Sequence, residues 1–173
     1  VKSSADPRAY EVNLLSKVHT VRSIPKRILV PTDFSSSADA AFEMATELAQ
    51  HFHAELVLLN VIPMFSATTA YDYFPETEFL EQARRFAETQ FSSRQRALIS
   101  KVVQAKVCIE SGNDVAGTIM TVIDREDIDM VIISTHGISG WRPLVFGSIA
   151  EKAVKLVQCP ILLLRSNNAE TRA

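Results

Sequence analysis

The chain has 173 residues, 47% of them apolar and 22% charged, and a net charge of -2. This is the composition of an ordinary globule long enough to bury one sizeable core. It provides no basic field for duplex nucleic acid, and no run of about 18 apolar residues that could cross a membrane as a helix.

Residues 1–25 mix Lys2, Arg8 and Arg22 with Asp6 and Glu11 and show no sustained period. They read as an N-terminal arm with a short helix near Tyr10–Val18, closed by Pro25. The arm lacks the apolar block of a signal peptide, so the cytoplasm is the expected compartment. One domain is expected over residues 26–166, followed by a tail at 167–173.

From Lys26 onward, β-rich runs alternate with stretches of helical period. The runs are Arg27–Val30, Leu56–Val61, Ala105–Ile109, Met130–Ile133 and Ile161–Leu164. The first helix carries Ala41, Met44, Ala45, Leu48, Ala49 and Phe52 at steps of three and four, with Ser35 or Ser36 as its cap. A loop at Ile62–Pro75 precedes the second, which starts near Glu76. That helix carries Phe79, Leu80, Ala83, Phe86 and Ala87 on one side, then Leu98 and Val102. The third follows Gly112 with Val115, Ile119, Val122 and Ile123. The fourth begins at Gly147 with Ala150, Ala153, Val154 and Val157, before Pro160 blocks it. Five strands and four helices in strict alternation predict an α/β fold, one open parallel sheet covered on both faces.

Cys108 and Cys159 sit beside apolar strand runs and read as small buried hydrophobes. With the four histidines they show no metal-ligand spacing, so neither a metal nor a catalytic residue is assigned.

Ligands of such sheets bind beyond the carboxyl ends of the strands. Here those ends read Pro31-Thr32-Asp33, Val61-Ile62 and Ser134-Thr135-His136-Gly137, with Gly147-Ser148-Ile149 opening the last helix. Glycines at 137 and 147 let an anion approach the main chain, and a helix start attracts it through free amides. The same glycines also suit a turn and an N-cap, so by themselves they leave both readings open.

Four blocks in order carry a resemblance: Ile28-Leu29-Val30-Pro31-Thr32-Asp33, Val131-Ile132-Ile133-Ser134-Thr135-His136-Gly137, Gly147-Ser148-Ile149-Ala150-Glu151-Lys152 and Cys159-Pro160-Ile161-Leu162-Leu163. Over residues 26–165 the chain resembles the universal stress protein family, and in particular its ATP-binding branch. The resemblance implies a Rossmann-like sheet of order 3-2-1-4-5. It also implies a site for ATP with Mg²⁺ or Mn²⁺ in which Asp33 holds the ribose hydroxyls. Pro31, Thr32 and the main chain of Val61 would meet the base. Ser134, Thr135, His136, Gly137, Gly147, Ser148 and Ile149 would surround the phosphates, and Arg142 could pair with them. The branch motif Gly-x2-Gly-x9-Gly-Ser/Thr is matched by Gly137, Gly147 and Ser148, with Ser134 standing where its first glycine would be. A homodimer through the last strand is implied as well, and an edge strand of four apolar residues needs such a partner.

Three functions follow as alternatives: a regulatory or protective module responding to stress through ATP occupancy and dimerisation, a slow ATP-dependent enzyme, and a dimeric interaction protein without nucleotide. A further protein partner is compatible with the first and third. The Gly-x4-Gly-Lys-Ser/Thr loop of phosphoryl-transfer enzymes is absent.

Overall fold

Strands form where the apolar runs are richest in branched residues, and all five lie parallel in one sheet. A computed structural model describes residues 24–64, 76–135 and 147–165. Its elements are β1 (Arg27–Pro31), α1 (Ser36–Phe52), β2 (Glu55–Pro63), α2 (Glu76–Ser100), β3 (Ala105–Gly112), α3 (Val115–Arg125), β4 (Met130–Ser134), α4 (Ser148–Leu156) and β5 (Ile161–Leu164). The strand order is β3-β2-β1-β4-β5, as expected. The expected arm, its helix at Tyr10–Val18 and the tail fall outside the described residues, save residues 24 and 25. Ile62 and Pro63, expected in a loop, instead continue β2 against Ser111 and Gly112 of β3.

Side chains alternate along each strand, so the sheet divides the core in two. Ile28, Val30, Leu56, Leu58 and Ile132 pack under α1 and α2 with Ala41, Ala45, Ala49, Phe91 and Leu98. Leu29, Val57, Leu59, Val131 and Ile133 pack with Ile119, Val122 and Ile123 of α3 on the opposite face. Small alanines on α1 let that helix lie close to the sheet. Its start is capped by Ser35, whose hydroxyl accepts from Ala38 N–H at 3.2 Å, so of the two candidate caps Ser35 serves. At the amino end of the sheet, both carboxylate oxygens of Asp129 accept the Lys26 N–H at 3.0 Å. One of them also takes the Arg27 N–H at 3.2 Å, tying β1 to the start of β4.

Two helices bury only part of the apolar residues that the sequence groups on them. In α2 the buried residues are Ala87, Phe91 and Leu98, whereas Phe79 and Phe86 are 46% and 55% exposed. In α4, Ala150 and Ala153 are buried and Val154 is exposed, while Gly147 is the N-cap and Val157 the C-cap. The periodicity marks an apolar stripe correctly but cannot say which part of it the sheet covers.

Val102 is the sharpest correction. It lies past the end of α2, 92% exposed, with φ 57°. Its N–H donates to Ile99 O at 3.1 Å, and Val103 N–H reaches back to Leu98 O at 3.1 Å. This is a left-handed helix stop of the kind glycine usually supplies, occupied here by a branched residue with nothing to pack against. Val102→Gly should therefore raise stability by about 0.5–1 kcal/mol, the relief of left-handed strain less the chain entropy of glycine. A urea midpoint that falls in this variant would show that the turn is not strained.

Cys108 and Cys159 are buried and unpaired. Burial raises both thiols above their ordinary range, Cys159 to about 11. At pH 8 the native protein should react with a thiol-specific disulfide reagent far more slowly than the unfolded chain, which should titrate two thiols. Rapid native labelling of either would contradict the packing.

Candidate functional site

The carboxyl ends of β1, β2 and β4 converge on a cavity of about 670 Å³. Pro31, Thr32 and Asp33 enter it from β1, Val61 from β2, and Ser134 and Thr135 from β4. Gly147, Ser148 and Ile149 close it from the start of α4. The expected site residues among those described thus share one wall. His136 and Gly137, with Arg142, lie outside the described residues.

The turn after β1 is built from its own side chains. Thr32 Oγ1 accepts the Phe34 N–H at 2.9 Å, and Asp33 Oδ1 accepts the Ser35 N–H at 3.0 Å. These two local bonds bend the chain sharply enough to place Phe34 at φ 62°. Asp33 therefore supports the turn that ends at the Ser35 cap, while also lining the cavity. The Phe34 ring stacks edge-on against Phe86 and Phe91, with centroids at 5.7 and 5.1 Å. The Arg94 guanidinium sits over it at 5.1 Å and pairs with Asp39. Held in this way, Phe34 joins Phe79, Ala83 and Phe86 of α2 as an apolar side wall. The sequence groups these α2 residues on one apolar side with Ala87, which does not separate a cavity wall from the core.

The start of α4 presents backbone donors to the cavity. Gly147 offers no side-chain cap, and the first intrahelical bond runs from Glu151 N–H to Gly147 O at 2.9 Å. As first-turn amides, those of Ser148, Ile149 and Ala150 have no acceptor within the helix, and the positive end of the helix dipole adds to them. The Gly147 N–H itself is committed to Thr135 O at 2.8 Å. Gly147 has φ -57° and ψ 146°, open to any residue, so its smallness matters for space rather than conformation. A Cβ there would lie 3.3 Å from Thr135 O.

Sequence reading missed Asn60. It lines the cavity and its Nδ2 donates to the Thr32 carbonyl at 2.9 Å. The signal was available as a single amide inside the apolar run Leu58-Leu59-Asn60-Val61-Ile62. Among the described residues no group of three His, Cys, Asp or Glu side chains could hold a metal. No described helix is long and apolar enough to cross a membrane.

Residues 25–165 match the model of the Universal stress protein family. The chain is similar to the universal stress protein YxiE of Bacillus subtilis, with 26% identity covering 80% of this chain and 98% of that one. Among solved structures it resembles the universal stress protein UspA from Lactobacillus plantarum, with a TM-score of 0.75 and 25% identity. That alignment covers 83% of this chain and all of the other. A universal stress protein family member from Arabidopsis thaliana, solved with AMP bound, shares the fold at a TM-score of 0.62 and 18% identity, over 86% and 97% of the two chains. The β3-β2-β1-β4-β5 sheet, the four sequence blocks and the family match agree, and the chain belongs to the universal stress protein family.

Proposed function

We propose that this chain binds ATP, with Mg²⁺ or Mn²⁺ carried on the phosphates, and acts as a stress-responsive module through nucleotide occupancy. One observation carries the reading: a single cavity joins a carboxylate at a strand end, a main-chain edge at Val61 and an uncapped helix start. Asp33 suits ribose hydroxyls, which donate to a carboxylate. The amides of Ser148, Ile149 and Ala150 suit phosphate oxygens. Hard cations take oxygen ligands and are commonly held through substrate phosphates, so the ion needs no protein cage. The AMP bound to the Arabidopsis relative supports an adenine nucleotide in this fold.

The same reading includes a homodimer through β5. Both β3 and β5 are sheet edges, but they are guarded differently. On β3, Lys106 pairs with Glu126 at 2.5 Å and Glu110 with Arg125 at 2.8 Å, which places charge along that edge. On β5, Ile161, Leu162, Leu163 and Leu164 are half-buried and uncharged. Charges discourage edge pairing, and an apolar edge invites it. Sedimentation at micromolar concentration should give about twice the 19.2 kDa chain mass, and a stable monomer would remove the dimer from the reading.

Calorimetric titration with Mg²⁺ present should show ATP binding, tighter than GTP, and no heat at millimolar ATP would end the proposal. Asp33→Asn keeps an acceptor for the Ser35 N–H and removes the charge. It should weaken ATP by roughly tenfold to a hundredfold, the worth of charge-assisted bonds of about 1.5–3 kcal/mol, and weaken a 2′-deoxy nucleotide less. Gly147→Val should nearly abolish binding, because its branches would crowd both Thr135 O and the phosphate seat. Unimpaired binding in this variant would move the phosphates elsewhere.

A further inference from the structure

β2 turns its main chain alternately to its two neighbours. Glu55 N–H donates to Lys26 O and Leu59 O accepts from Thr32 N–H, each at 2.8 Å, both toward β1. Leu56 N–H donates to Gln104 O at 2.9 Å and Met64 N–H to Gly112 O at 3.1 Å, both toward β3. Odd-numbered residues of β2 thus face β1. Val61 is the next odd residue after Leu59, so its N–H and C=O point past the last rung of the β1 ladder, beside the cavity it lines.

A regular parallel ladder would continue one rung further, with the Thr32 carbonyl taking the Val61 N–H. The Thr32 carbonyl instead accepts from Asn60 Nδ2 at 2.9 Å. A carbonyl can only accept, so the atom of Asn60 that faces it is the amide nitrogen. The side chain of Asn60 occupies the position of a ladder bond and leaves the main chain of Val61 without its strand partner.

We propose that Asn60 is a positioning residue that keeps the main chain of Val61 open as a base-reading edge. Through it the site selects a base with an acceptor ring nitrogen beside an exocyclic amino group over one with a ring N–H beside a carbonyl. One residue offers one donor and one acceptor in fixed order. The Watson–Crick edge of adenine complements that order, whereas guanine in the same pose opposes donor to donor and acceptor to acceptor. With the sugar at Asp33 and the phosphates at α4, the base cannot turn over to exchange them. The inference rests on the nucleotide-binding reading for its ligand, but its geometric half concerns the protein alone.

Asn60→Leu removes the donor at similar volume, and Asn60→Asp removes it at the same shape, since an ionised carboxylate cannot donate to Thr32. In the nucleotide-free protein, amide hydrogen exchange followed by NMR should show the Val61 N–H exchanging at least about tenfold more slowly in Asn60→Leu, as the freed Thr32 carbonyl closes the rung. The unfolding midpoint should stay or rise. In both variants ATP affinity should fall about tenfold while GTP affinity changes little, so the ATP preference contracts. A side chain that merely supported the fold would lower the midpoint and leave the preference intact. A Val61 amide as protected in the parent as in Asn60→Leu would overturn the proposal, and so would an unchanged ATP-to-GTP preference in either folded variant. If the parent binds no nucleotide, the proposed function fails, and the exchange measurement still decides the role of Asn60.

Discussion

A parallel sheet satisfies the backbone of its inner strands by pairing them on both sides, and a site at their carboxyl ends opens where that pairing stops. Here it stops on both flanks of β1, for two different reasons. Toward β4, the odd residues of β1 carry the bonds, as the Asp129 N–H to Arg27 O contact at 3.2 Å shows. Pro31 is the odd residue at the carboxyl end, and proline has no N–H to offer. The β1–β4 register runs only through Ile28–Met130 and Leu29–Val131. Toward β2, Asn60 takes the Thr32 carbonyl. Each flank of the central strand is opened by one side chain, and the cavity occupies the gap.

The helices make that gap a lined site rather than a solvent notch. The helix after β1 crosses to one face and the helix after β4 packs against α3 on the other. Neighbouring parallel strands whose connections leave in opposite directions cannot both be roofed at their carboxyl ends. The ends of β1 and β4 are such a pair. The start of α4 then lies across the opening from the aromatic wall of α2, polar amides on one side and phenyl rings on the other.

Much of this arrangement was legible in the residues, because periodicity reports burial and burial builds sheets. The five strand runs and the α1 stripe emerged within a few residues of their bounds. Strand order did not come from periodicity, since every order buries the same runs, and only the resemblance supplied it. Phe79, Phe86 and Val102 were grouped with the buried Ala87 and Leu98 for a related reason. An apolar residue in register on a helix is equally consistent with core, cavity wall or overrun, and only the position of the sheet end distinguishes them. Asn60 was overlooked because a single polar residue does not break an apolar run, although its chemistry interrupts the ladder. Asp33, Gly147 and Ser148, which line the cavity, could be singled out because they stand directly at strand and helix ends, where position is legible without knowing the packing.

The site and the β5 edge are mechanically close. Thr135, buried at the end of β4, donates its N–H to Leu164 O and accepts the Gly147 N–H at its own carbonyl, each at 2.8 Å. One residue therefore stands between the N-cap of α4 and the last residue of the edge strand β5. A buried peptide unit keeps its hydrogen bonds, so a shift of the α4 start that preserves the Gly147–Thr135 bond carries Thr135 with it. A shift of Thr135 would in turn draw on Leu164. The start of α4 and the β5 edge thus meet at a single joint, so a displacement of one has a direct structural route to the other.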